Sequence, residues 1–142
     1  MIDKFDKEYR FLSNFYLCKI EIDGIVYPST EHAYQAAKTT NWDVKRHIIS
    51  QKTPGLARKV GNDRKVTKLR ENWDQLRIPV MRELLLIKFA IPVLRQKLLD
   101  TGDHELIESN WWKDYFFGVC NGKGENHLGK LLMEIREQIR AN

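Results

Sequence analysis

The sequence predicts an α+β fold, predominantly helical, with a small antiparallel sheet in one compact domain spanning residues 1–142. Three observations predict it. A chain of 142 residues with 42% hydrophobic and 11% aromatic content is long enough for one core and too short for two ordinary domains. One hairpin signal stands near the start, where "CKIEIDGIVYP" joins two β-branched runs through Asp23-Gly24, a dipeptide suited to the positive φ angles of a type I′ turn. Most of the chain after this hairpin has helical spacing, with proline and glycine at the ends of the segments.

Pro28 ends the second strand, and Ser29 or Thr30 caps a helix over "EHAYQAAK", with Glu31 in its first turn. "TPGLARKVGN" reads as a short helix with Thr53 as cap, Pro54 at the first position and Gly61 just past the end. "PVMRELLLIKFA" is a stronger one, starting near Pro79 with Val80, Leu84, Ile87 and Ile91 at core spacing. Pro92 opens "PVLRQKLLDTG", which Gly102 closes. Short strands are expected at "ELIES" and "YFFGVC". A last amphipathic helix carries Leu128, Leu131, Leu132, Ile135 and Ile139. No repeat or linker divides the chain.

Several function classes drop out. The longest apolar run, Leu84 to Leu94, is 11 residues and is broken by Lys88 and Pro92, so it cannot span a bilayer. Met1 to Arg10 is rich in charge and has no apolar stretch of a secretory signal, which places the expected location in the cytoplasm. Cys18 and Cys120 form no C-x-x-C pair, and the four histidines lack ligand spacing; neither a metal nor a cofactor is expected. The net charge of +5 favours anionic partners such as phosphates. It is densest from Arg58 to Arg70, where Arg58, Lys59 and Arg64 are candidates for holding phosphate or, equally, for a solvated basic loop.

The chemistry centres on "YPSTEHAYQAAK". At roughly 100° per residue Glu31, Gln35 and Lys38 share one face with Tyr34 beside them, and alanines fill the rest. Glu31 by itself needs no role beyond complementing the helix dipole, worth about 0.3–1 kcal/mol. The row of acid, amide and amine on a closely packed helix points instead to a ligand. "FLSNFY" places Ser13, Asn14 and Phe15 where rings can stack on a base and polar groups can hold ribose, or where an aromatic anchor precedes a turn. Trp73 in "ENWD" and the five rings of "NWWKDYFFG" around Asp114 pose the same choice, since five aromatics in seven positions cannot all face one core. Asn126, in "GKGENHLGK" at the start of the last helix, suits a phosphate on backbone N–H groups.

Taken in order, "FLSNFY", "YPSTEHAYQAAK", "ARKVGNDRKV", "NWD" with "VM", "KF", "LLDTGD", "DYFFGV" and "GENHLGKLLMEIR" resemble the NADAR family, the NAD- and ADP-ribose-associated domains, from about Phe5 to Ile139. The resemblance implies a mainly helical α+β domain with metal-independent N-glycosidase activity. Its substrate would be a phosphorylated ribosylamino intermediate of riboflavin synthesis, or an ADP-ribose-type molecule including ADP-ribosylated guanine in nucleic acid; a non-catalytic ADP-ribose sensor is the rival reading. Carried onto this sequence, the family's acidic positions fall on Glu31 and Asp114, its lysine on Lys38 and its tryptophan on Trp73. Glu31, Lys38 and Asp114 are the expected catalytic residues, and Ser13, Asn14, Phe15, Gln35, Arg58, Trp73, Phe117, Gly118 and Asn126 are expected to bind substrate. Phe117 stands where a tryptophan is usual and Cys120 where a glycine is usual, which bears on substrate choice.

Overall fold

Asp23 and Gly24 take φ angles of 52° and 81°, and the chain reverses there so that Ile22 pairs with Ile25 across an antiparallel hairpin. In the computed structural model, which describes residues 1–142, this hairpin is β1 (Leu17–Ile22) and β2 (Ile25–Ser29). Six α-helices come after it: α1 (Thr30–Ala37), α2 (Trp42–Ile49), α3 (Pro54–Asn62), α4 (Trp73–Lys88), α5 (Pro92–Asp100) and α6 (His127–Ala141). Two further strands, β3 (Ser109–Asn110) and β4 (Val119–Cys120), are two residues each and pair in parallel. The class is the mainly helical α+β one that the sequence predicts.

The chain divides into two compact units, Asn14–Lys88 and a second made of Met1–Ser13 with Phe89–Asn142. In the first, α1 is the hub and touches β1, β2, α2, α3 and α4. Every residue from Thr30 to Ala36 is buried, and the alanines allow that enclosure because they keep neighbouring backbones close. Ser29 caps α1 by accepting from the His32 N–H at 3.0 Å. Thr53 caps α3 as expected, but Gly61 lies within that helix and not past its end.

Helix α2 is not predicted by the sequence. Asn41 caps it by accepting from Asp43 and Val44, yet Ile48 is its one buried residue, so no apolar stripe marks it. Helix α4 begins six residues before Pro79, which sits inside it. Trp73 is buried in its first turn, and the helix runs on through Pro79 despite a proline cost of about 3 kcal/mol. The buried face is Trp73, Met81, Leu84, Leu85 and Lys88, so of the expected core positions only Leu84 is fully enclosed.

In the second unit, a 3-10 turn at Lys7–Leu12 contacts α5, and α5 contacts α6. Gly102, at φ 63°, follows the end of α5. Leu128, Leu131, Leu132 and Ile135 of α6 are buried as the spacing predicts. The expected strands shrink to β3 and β4, while Leu106 bridges to Ile2. Local side-chain hydrogen bonds from Asn110 and Asp114 replace a longer ladder there.

Candidate functional site

The polar row of α1 faces neither water nor an apolar core. Glu31, Gln35 and Lys38 are 8%, 3% and 6% exposed. The helix is fixed at its start by two contacts from outside it. The Glu31 N–H donates to the Asn14 backbone carbonyl at 3.0 Å. His32 Nε2 lies 2.9 Å from the Gln51 carbonyl, which can only accept, so Nε2 carries the proton and Nδ1 accepts from the Ser29 hydroxyl at 2.7 Å. Both ring nitrogens of this fully buried histidine are spent on anchoring α1.

At its other end, α1 meets cations. Lys45 Nζ donates to the Ala36 carbonyl at 3.0 Å and the Arg70 guanidinium to that of Ala37 at 3.4 Å, while the Arg70 backbone N–H donates to the Lys38 carbonyl at 2.7 Å. Within the row, Gln35 Nε2 donates to Glu31 Oε2 at 2.6 Å, and Lys38 Nζ donates to Asn62 Oδ1 at 2.9 Å. The Lys38 ammonium also lies 5.6 Å from the centre of the Tyr34 ring. Loss of solvation pushes the Lys38 amine down to about 8; the Glu31 carboxylate opposes this, and Arg64, Arg58 and Arg77 add to it. One buried carboxylate and one amine that titrates near neutrality therefore sit among three guanidinium groups. Such a place attracts an anionic substrate and can offer it a nucleophile or a proton acceptor.

Two of the basic residues singled out in the sequence, Arg58 and Arg64, act on this amine; Lys59 is exposed and does not. Arg64 also donates to the Gly61 carbonyl at 2.8 Å. Arg77 and Asn62 escaped sequence reasoning, because Arg77 lies on a helix read as starting two residues later and Asn62 lies beyond the point where Gly61 was expected to end α3. Trp73, expected to stack on a base, is 6% exposed and packs on Tyr34 with ring centres 5.3 Å apart at 55°. Phe15 is exposed, whereas Asn14 is buried with Nδ2 3.6 Å from Met81 Sδ and no donor to its Oδ1. Ser13 belongs to the other unit, where its N–H donates to the Arg10 carbonyl.

The remaining predicted residues also lie in that second unit. Asp114 is half-buried, and its Oδ1 accepts from the Phe116 and Phe117 N–H groups at 3.1 and 3.0 Å. Asn110, unremarked in the sequence, closes this loop: its Oδ1 accepts from the Asp114 N–H and its Nδ2 donates to the Asp114 carbonyl. Phe117 meets Phe116 edge to face at 4.9 Å. At Gly118 a Cβ would overlap Glu108 and Asn110, so glycine is required by close approach. Asn126 adopts φ 54°, and its side chain donates to the Leu106 carbonyl and accepts from the Glu108 N–H, both at 2.9 Å. It pins two loops together and does not cap α6. No three of the His, Cys, Asp and Glu side chains converge to hold a metal ion.

Known proteins are similar to this chain in sequence and fold. The NADAR domain model matches residues 2–140. N-glycosidase YbiA of Escherichia coli is 38% identical over 133 residues, covering 93% of this chain and 82% of that protein. An N-glycosidase of Nostoc punctiforme is also 38% identical, over 93% of this chain and 86% of its own. A riboflavin biosynthesis protein of Vibrio vulnificus is 35% identical over 96% of this chain, which corresponds to 37% of that longer protein. The solution structure of Escherichia coli YbiA superposes with a TM-score of 0.86 at 36% identity, over 99% of this chain and 88% of the other.

Proposed function

The chain belongs to the NADAR domain family, and from that membership we propose that it is an N-glycosidase that cleaves the bond between ribose and a nitrogenous base in a phosphorylated substrate. The observation that carries the reading is the buried pair Glu31 and Lys38 on one helix face, set among Arg58, Arg64 and Arg77. Ribosylaminopyrimidine phosphates are the first candidates, because relatives include riboflavin biosynthesis proteins. The arginines supply the counter-charge for phosphate.

An N-glycosidic bond breaks through an oxocarbenium-like transition state with positive charge at C1 of the ribose. Glu31 is the carboxylate that stabilises that charge, in a buried site where it acts more strongly than in water. Asn14 Oδ1, a buried acceptor without a donor, suits a ribose hydroxyl. Lys38, in its neutral form, bonds through Nζ to C1 as the bond from C1 to the base breaks, and the base leaves with the proton that Nζ gives up. Opening of the ribose ring then gives an imine, which water hydrolyses to the free sugar and the original amine. No metal enters this scheme.

The test is direct. The protein is incubated with ribosylaminopyrimidine phosphate, and in parallel with an ADP-ribosylated guanine oligonucleotide, with and without chelator, and release of base and sugar is followed by mass spectrometry. Release from the first substrate, unaffected by chelator, supports the proposal. Release from the second alone reassigns the substrate to ADP-ribose on nucleic acid. Binding of ADP-ribose with no release from either makes the domain a sensor.

A further inference from the structure

We infer that Gln35 is a positioning residue for Glu31, holding its carboxylate ionised and fixed in direction, and that Gly61 of α3 keys Gln35 into that task. The inference rests on the reading of Glu31 as the carboxylate that meets the developing cation. Gln35 stands one helical turn after Glu31, and its Nε2 donates to Glu31 Oε2 at 2.6 Å, a short bond to a charged acceptor.

The other end of the amide is pressed against α3. A Cβ at Gly61 would overlap Gln35 Oε1 and stand 2.8 Å from Gln35 Cβ and Cδ, so α3 runs past the side chain at a distance only glycine permits. That contact leaves the glutamine one way to lie. Its Oε1 is buried and accepts from no donor, so the amide's one hydrogen bond is the one to Glu31. An orphaned acceptor of this kind is costly, and a leucine or methionine would fill the space without it. What the amide adds is direction and sign: an N–H bonds the carboxylate anion more strongly than the neutral acid. Gln35 acts on the carboxylate beside the Lys38 amine, which also faces Glu31.

The test reads Glu31 itself. Titration of its δ-carbon by ¹³C NMR in wild type, Gln35→Met and Gly61→Ala needs no substrate, and methionine is nearly isosteric with glutamine, so the contact between α1 and α3 survives. Loss of one hydrogen bond to the anion should raise the Glu31 midpoint by about one pH unit or more in Gln35→Met, with Gly61→Ala moving it the same way by displacing the amide. At pH 7 kcat should fall at least about tenfold while KM changes little, as for an interaction made in the transition state. A Glu31 midpoint within about 0.3 units of wild type in Gln35→Met overturns the inference, whatever Gly61→Ala does to folding. A midpoint that moves in Gln35→Met while the wild-type protein has no glycosidase activity overturns the functional reading and leaves the positioning role standing.

Discussion

Lys38 Nζ donates to Asn62 Oδ1 at 2.9 Å, which ties the last residue of the α1 polar row to the last residue of α3. The bond supports the charged amine, and burial works against it. With the amine near 8, about a tenth is neutral at pH 7, and a nucleophilic Lys38 requires that fraction. The rate of turnover should therefore rise with pH and level off above about 8. Asn62→Ala removes an acceptor from the charged form and should move this midpoint lower. Borohydride added during turnover should trap the sugar portion of the substrate on Lys38, and Lys38→Arg should lose both trapping and turnover. A rate that falls as pH passes 8, with no adduct, identifies an electrostatic lysine and direct attack by water.

Trp73→Ala separates packing from stacking. The ring is enclosed against Tyr34, so truncation should cost roughly 3–5 kcal/mol of stability, read as a large fall in melting temperature. A variant that melts like wild type but loses affinity for base-bearing ligands, and not for ribose phosphate, would return Trp73 to the stacking role expected from the sequence.

Stability should rise between pH 8 and 9. Lys88 is fully buried at the end of α4, with its ammonium 5.7 Å from the centre of the Tyr16 ring, and loss of solvation pushes it down to about 8 while Cys18 opposes the change. Lys38 behaves alike. From about 8 up to their unfolded value of 10.5 the unfolded chain binds more protons than the native one, so the penalty is full below 8 and lifts as pH rises. Cys18 and Tyr27, both raised chiefly by burial, titrate in the opposite sense only from about 9 upward. The penalty is on the order of 3 kcal/mol for the fully buried Lys88 at pH 7. Lys88→Met should raise the melting temperature at pH 7 and remove roughly half of the gain between pH 8 and 9. Denaturant melts at pH 7, 8 and 9 check this, and a flat wild-type profile contradicts it.

Asp114→Asn tests the carboxylate that the family pattern marks as catalytic. An asparagine oxygen can still accept from the Phe116 and Phe117 N–H groups, so the loop should persist with little change in melting temperature. Turnover should fall at least about a hundredfold if the charge takes part in chemistry. Activity within a few-fold of wild type confines Asp114 to shaping its loop.

How much of the fold and site was legible in the sequence depended on whether the signal was local. Asp23-Gly24, Ser29, Thr53 and Gly102 carry their turn and cap chemistry in their own side chains or φ angles, and each lies where the sequence places it, or within a residue. The start of α4 was illegible because Trp73 is held by a distant partner, Tyr34, and Pro79 gave a stronger local signal for a boundary. Helix α2 buries too little to leave a periodic trace. In the site, the shared face of Glu31, Gln35 and Lys38 followed from helix spacing alone. The tie from Lys38 to Asn62, the field of Arg77 and the fit of Gly61 against Gln35 come from other helices, which no spacing within α1 can report.

The central claim is that Glu31 does chemistry and does not merely complement the first turn of α1. Single-turnover release of base from ribosylaminopyrimidine phosphate by Glu31→Gln measures it most directly. A glutamine at position 31 keeps an oxygen to accept from Gln35, and loss of the dipole term costs under about 1 kcal/mol, so the variant should melt close to wild type. The expected result is a folded protein whose rate is at least about a thousandfold below wild type. A rate within a few-fold of wild type contradicts the claim.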